Sequence, residues 1–116
     1  MSMIVYSVKD WNENFEKADT RRCKEMKWVP LPNKHDGKGY RRLMAQPDAT
    51  DLFAAWVLIV QVASKCPVRG VLEDEDGPLT SEDLFLKTGL PAAVFNRAFD
   101  FFCRPKIGWL VREEKA

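Results

Sequence analysis

Residues 80–102 contain the pattern that most limits how this chain can fold, which is two short helices separated by a tight turn. Thr80 stands three positions before Asp83, the spacing of a capping box at a helix start. Gly89 suits the left-handed residue that ends a helix, and Pro91 suits the first turn of the next one. The segment is therefore predicted to form a helix–turn–helix unit.

The second of these helices has one apolar face. Its apolar residues recur at i, i+3, i+4 and i+7, so this stripe is predicted to be buried. The stripe consists of Phe95, Ala98, Phe99 and Phe102. Outside it lie Asn96 and Arg97, side chains that can make bidentate contacts with adenine and guanine. If the helix enters a DNA groove, these two residues are its candidate base contacts.

The rest of the chain supplies further helices and short strands. An apolar helix is predicted over 50–65, and shorter helices over 10–26 and 40–46. Short strands are predicted at 4–8, 69–74 and 107–113, the last with Ile107, Trp109 and Val111 on one side. This order predicts a mainly α (α+β) fold, a winged helix-turn-helix with a short β-hairpin or wing and an N-terminal extension.

The chain has the size and composition of one soluble domain. It has 116 residues, of which 46% are hydrophobic and 30% charged. We predict an N-terminal arm or extension at 1–26, which either packs on the domain or stays apart from it, and a winged-helix domain at 27–116. The most apolar stretch, 52–60, is far shorter than the ~20 residues that cross a bilayer, so no membrane association is expected.

The charges are unevenly distributed although the net charge is only +1. Residues 20–42 hold eight basic and two acidic side chains, a local charge of +6. Residues 73–83 hold six acidic side chains and no basic one. The basic segment is the predicted phosphate-binding region. Its candidate contacts are Arg21, Arg22, Lys34, Lys38, Arg41 and Arg42.

The loop at 33–43, NKHDGKGYRRL, has three interpretations. His35 beside Asp36 resembles a catalytic pair, but catalytic partners normally come from separate segments and no other histidine exists. The glycines match neither a P-loop nor a dinucleotide fingerprint. A polar turn that introduces a basic helix fits better, either as a solvated surface or as a phosphate contact. We predict no catalytic residues and no cofactor.

Other clusters are given structural interpretations. Three widely spaced cysteines favour neither a zinc site nor a disulfide framework, and a reducing cytoplasm is expected. The acidic run at 73–76 lacks the calcium-loop spacing and is predicted to be a solvated turn, so no metal site is expected. Among the aromatic residues, Trp11, Trp28 and Tyr40 are the candidates that either stack on bases or pack the N-terminal arm onto the domain, whereas four others are predicted to lie in the core. These others include Trp56, Phe95, Phe99 and Trp109.

Several motifs together resemble a known family. "NKHDGKGYRRL", "AAWVLIVQVASKCPVRGVL" and "LTSEDLFLKTGLP" followed by "IGWL" are similar to the N-terminal winged-helix region of phage and prophage replication proteins, the replisome organisers and DnaD-like primosome initiators. The resemblance covers about residues 27–111. It implies a role in DNA replication initiation in a bacterial host cell, with single- or double-stranded DNA and replisome proteins such as the helicase or its loader as partners, and it implies no catalytic residues.

Two functions follow. The first is a DNA-binding winged helix that contacts phosphates through 20–42 and a groove through the helix near Pro91. The alternative is a protein-interaction or oligomerisation module of a replisome or a transcription regulator, which the single basic residue on that helix and the acidic turn favour.

Overall fold

The computed structural model describes residues 3–22, 25–32 and 37–115, and it has the expected α+β composition. About half of the chain is helical. The helices are α1 (Trp11–Phe15), α2 (Ala18–Arg22), α3 (Lys38–Met44), α4 (Ala49–Ser64), α5 (Ser81–Thr88) and α6 (Ala92–Phe102). The strands are β1 (Met3–Val8), β2 (Glu73–Asp74), β3 (Gly77–Pro78) and β4 (Leu110–Lys115). β1 pairs with β4 and β2 with β3, both antiparallel.

The α5–turn–α6 unit forms through the local signals seen in the sequence. The backbone N–H of Asp83 donates to the Thr80 hydroxyl at 3.2 Å, and the Thr80 N–H donates to the Asp83 carboxylate at 2.8 Å. The Thr80 N–H and the Thr80 hydroxyl, which both donate to the Asp83 carboxylate, lower the pKa of Asp83. Gly89 ends α5 with φ 83°, and Pro91 immediately precedes α6. The predicted helix–turn–helix elements are confirmed, with α6 beginning one residue later than expected.

A single apolar core fills the space between α4, α5, α6 and the strands. On α4, Leu52, Ile59 and Val60 are fully buried, and the predicted stripe of α6 is also buried. Phe53 on α4 is 38% exposed, so one side of this apolar helix is not covered by the core. In the described part of the chain, no helix is long and apolar enough to cross a bilayer.

The N-terminal segment packs onto the rest of the protein. β1 pairs with β4 over six residues, from Met3 opposite Lys115 to Val8 opposite Leu110. The side chains of Trp11 and Phe15 that follow are buried in the same core. Of the two forms left open for 1–26, the described residues therefore adopt the packed one.

A buried carboxylate ties this segment to the turn after α4. The indole N–H of Trp11 donates to Glu16 at 2.6 Å, and Arg69 forms an ion pair with Glu16 at 3.1 Å. Arg69 also donates to the carbonyl of Thr20 at 2.8 Å. Burial alone would raise the pKa of Glu16, but the hydrogen bonds from Trp11 and Thr20 and the charge of Arg69 together lower it. The carboxylate is thus charged and fully partnered at neutral pH.

The last strand begins later than the sequence pattern indicated. Gly108 adopts φ 65°, its N–H donates to the carbonyl of Arg104 at 2.8 Å, and the chain turns here before β4 starts. As a result Leu110 points inward and Val111 is exposed, so the expected shared face of 107, 109 and 111 is wrong. The hairpin of β2 and β3 lies before α5, and its acidic turn is exposed at Glu75 and Asp76 as predicted.

The helix α3 lies directly against Trp109. A Cβ atom added to Gly39 would be only 2.7 Å from the Trp109 indole nitrogen. The indole ring has little room to move, because it stacks on Phe102 with ring centroids 5.3 Å apart and packs on Trp56 at 5.0 Å. A second contact holds the other end of α3, where Arg42 donates to the carbonyl of Lys106 at 2.8 Å.

Gly39→Ala is therefore expected to destabilise the protein, although alanine normally favours a helix over glycine. Displacing a packed indole costs about 1–3 kcal/mol, which urea unfolding monitored by circular dichroism would measure. Lys38→Ala, at an exposed position in the same helix, is the control and should change stability by less than about 0.5 kcal/mol. A Gly39→Ala protein as stable as the wild type would contradict the close packing of α3 on Trp109.

Candidate nucleic-acid interface

Three of the predicted phosphate contacts share one short helix. Lys38, Arg41 and Arg42 all lie on α3, and all three are exposed. Lys34 lies outside the described residues, as do His35 and Asp36. Arg22 ends α2, and its side chain lies outside the described part of the structure. The α3 residues are thus the part of the predicted set that the structure brings together.

The turn after α6 adds two further cations beside α3. The contact between Arg42 and the Lys106 carbonyl joins the two segments, and both residues line a shallow cleft of about 480 Å³ together with Arg104. We name the exposed cations of α3 and of the turn after α6 the basic ridge. It consists of Lys38, Arg41, Arg42, Arg104 and Lys106. Asp100 is the acid in contact with it, 2.9 Å from Arg104. Such an excess of positive charge attracts a polyanion.

Arg97, a predicted groove contact, is held by the protein itself. Its guanidinium forms an ion pair with Asp48 at 3.0 Å and donates to the amide oxygen of Gln46 at 2.9 Å. It also lies over the Phe101 ring, 5.5 Å from the centroid. These contacts join α6 to the segment between α3 and α4. They orient the side chain along the protein surface.

The exposed face of α6 offers little positive charge. Asn96 is exposed and lines a cleft of about 390 Å³ with Tyr6 and Arg112. Arg112 forms an ion pair with Glu114 at 3.3 Å, and Asp100 lies on the same face of α6. Asn96 can therefore donate to or accept from a base, but phosphate binding has weaker support here than at the basic ridge.

Arg21 lies apart from this surface. Its guanidinium donates to the carbonyl of Asn12 on α1 at 3.1 Å. No contact among the described residues links Arg21 to α3. The cations that sequence reasoning missed are Arg104 and Lys106. The local signal was the triplet Arg-Pro-Lys after α6, but its proximity to α3 depends on the tertiary fold.

The candidate stacking residues divide in the structure. Of the two roles predicted for Trp11, packing of the N-terminal segment onto the domain is the one observed, because Trp11 is buried in the core and donates to Glu16; stacking on a base is wrong. Trp28 is 85% exposed. Tyr40 is half-buried and lines a pocket together with Trp109. Trp109 was expected to lie in the core, but it is also half-buried.

The described thiols and acids do not form a reactive or metal-binding cluster. Burial raises the pKa of Cys103 to about 11 and also raises that of Cys66. Both are therefore neutral thiols near pH 7, a poor state for nucleophilic attack. Within 3–22, 25–32 and 37–115, no three His, Cys, Asp or Glu side chains come together as metal ligands would. Cys23 lies outside these ranges.

Comparison of the chain with protein-family models, curated proteins and solved structures found no match. A proposal for the function of this protein must therefore rest on the geometry of the site and the chemistry of its residues.

The two arginines Arg97 and Arg41 should differ in their effect on folding. Arg97→Ala removes a partly buried ion pair and a ring contact, and it should lower the free energy of unfolding by about 1–2 kcal/mol. Arg41→Ala is the matched control, because Arg41 is exposed, and its effect should stay below about 0.5 kcal/mol. Urea unfolding of both proteins gives the comparison. Equal effects would show that Arg97 does not have this structural role.

Proposed function

We propose that this protein binds DNA through the basic ridge, as the winged-helix module of a phage-type replication initiation protein. The carrying observation is that α3 bears three exposed cations and that one of them, Arg42, lines a cleft with Arg104 and Lys106 of the turn after α6. The two groups of cations are more than sixty residues apart in sequence, and the contact between Arg42 and Lys106 brings the two segments together. DNA is the polyanion whose phosphates such a surface suits.

The order of the elements supports the winged-helix part of this proposal. α4 leads to α5, a three-residue turn and α6, and β4 follows. On this proposal the wing is the pair of β1 and β4, with β1 supplied by the N-terminal segment. The resemblance of residues 27–111 to phage and prophage replication proteins supports a role in replication initiation in the bacterial cytoplasm. On this proposal, replisome proteins such as the helicase or its loader are further partners.

The ridge suggests how DNA is held. Arginine and lysine contacts to phosphate provide affinity and orientation without reading sequence. Arg97 is already bound to Asp48, so we assign it to the protein's own structure and leave Asn96 as the α6 residue for a base edge. The main interaction is then with the backbone of DNA, and binding is expected to depend weakly on sequence.

Fluorescence anisotropy of a labelled duplex and a labelled single strand tests this proposal. Binding should weaken steeply between about 50 mM and 200 mM salt, because neutralised phosphates release counterions. Lys38→Gln/Arg41→Gln should weaken binding by about tenfold at the lower salt and reduce the salt dependence by about one to two counterions.

The control is Lys65→Gln/Lys87→Gln, which also removes two positive charges. Lys65 is exposed just after α4, and Lys87 is exposed on α5. It should change affinity by less than about twofold, the result expected for cations that do not touch phosphate. Equal loss in both double variants would contradict a localised interface. If neither strand binds at low salt, the DNA-binding proposal fails. The interaction-module alternative would then be favoured.

A further inference from the structure

A pocket lies next to the basic ridge and has no part in the DNA contact proposed above. It is an aromatic pocket of about 320 Å³ between α1, α3, α4 and the turn before β4. Its aromatic lining consists of Phe15, Tyr40, Phe53, Trp56 and Trp109. Small-molecule sites usually measure about 300–1,000 Å³, so the pocket has room for one small planar group.

The pocket is open to solvent on one side. Phe15 and Trp56 form its buried floor, whereas Phe53 on the rim is 38% exposed. Leaving aromatic surface in contact with water gives up stabilisation that burial would provide. In a small protein such a recess is a candidate for binding a ligand with a flat apolar face.

Polar groups stand at the same rim. Lys9, Asp10 and Asn14 all line the pocket and are exposed. The Lys9 side-chain nitrogen lies close to Gly108, only 3.9 Å from where a Cβ atom on that residue would be. Together these side chains offer a positive charge, a carboxylate and an amide to one ligand. A ligand that suits them has hydrogen-bonding groups around an aromatic ring.

The backbone that presents this rim is strained. Asp10 has φ 53°, and it is the one non-glycine residue in the described ranges with a left-handed conformation. Such a conformation costs free energy that the surrounding contacts must offset. Two backbone bonds hold it, from Asn14 N–H to the Asp10 carbonyl at 3.1 Å and from Lys9 N–H to the Trp109 carbonyl at 3.0 Å. The rim is therefore ordered in advance of binding.

The pocket and the ridge are joined by α3. Tyr40 and Gly39 line the pocket, while Lys38 and Arg41 on either side of them belong to the ridge. A nucleotide has the same two parts, a planar base with polar edges and a charged phosphate. The charge and the aromatic surface thus match one ligand class at adjacent positions.

We propose that the aromatic pocket takes one unstacked base of a single-stranded nucleic acid whose phosphates follow the basic ridge. This inference rests on the proposed function and specifies its substrate as single-stranded. A paired base is stacked inside a duplex and must be extruded before it can enter such a pocket, which disfavours the duplex. Stacking on aromatic side chains tolerates any base, so little sequence preference is expected.

The test compares two labelled strands of about twelve nucleotides, within the site sizes of small single-strand-binding domains. One is oligothymidylate, and the other has the same backbone and charge with abasic sites throughout. By fluorescence anisotropy at low salt, the wild-type protein should bind oligothymidylate at least about tenfold more tightly than the abasic strand. Phe53→Ala, or Tyr40→Leu as a second variant, should remove most of this difference.

Phe85→Ala is the matched control, because Phe85 is a helical phenylalanine of nearly the same exposure, 40% against 38% for Phe53, and lies outside the pocket. It should leave the difference intact. Lys38→Gln/Arg41→Gln should weaken the binding of both strands alike. Circular dichroism of each variant confirms that it is folded.

Each contrary outcome has a distinct meaning. Equal affinity of the wild type for both strands would overturn the pocket proposal and leave the ridge intact. A difference that survives both pocket variants but disappears in Trp28→Ala would place the bases on the exposed Trp28 and would also overturn it. Binding of neither strand would overturn the proposed function itself.

Discussion

The packing of α3 on Trp109 is the contact on which both proposed binding surfaces depend. Because Gly39 has no side chain, the helix backbone approaches the indole ring closely, and the ring is fixed in turn by Phe102 and Trp56. The same tryptophan accepts a backbone hydrogen bond from Lys9 at the rim of the aromatic pocket. A single residue thus connects α3, α4, α6 and the N-terminal segment. Displacing it would open the pocket and shift the basic ridge together.

The uneven distribution of charge makes the proposed binding of a polyanion compatible with a net charge of only +1. The basic ridge lies on α3 and the turn after α6, while the acidic hairpin of β2 and β3 lies before α5. Screening over about 10 Å in ordinary salt makes the local charge more important than the total. On the proposed function, a phosphate backbone along the ridge meets mainly the cations of α3, because the ion pair with Asp100 offsets the charge of Arg104.

The parts of the fold that depend on neighbouring residues were predictable from the sequence. The cap at Thr80, the stop at Gly89 and the stripe of α6 follow from contacts within a few positions, and each is present. The pairing of β1 with β4 joins opposite ends of the chain, so no local pattern indicates it. The start of β4 was misplaced because the turn at Gly108 interrupts an apparently alternating pattern.

In the candidate site too, contacts between residues far apart in sequence were not predictable. Lys38, Arg41 and Arg42 were identified because they are close in sequence, whereas Arg104 and Lys106 join them only through the tertiary structure. Arg97 looked available as a base contact because its partners, Asp48 and Gln46, lie about fifty residues away. Composition alone also could not separate the buried Trp11 from the pocket-lining Trp109.

Chemical-shift mapping of the ¹⁵N-labelled protein during titration with a short single strand at low salt tests the account most directly. Binding along the basic ridge and in the aromatic pocket should give the largest shifts at the amides of 38–42 and 104–106 and at the indole N–H of Trp109. Shifts confined to the acidic hairpin or to the exposed face of α6, or no shifts at all, would contradict it.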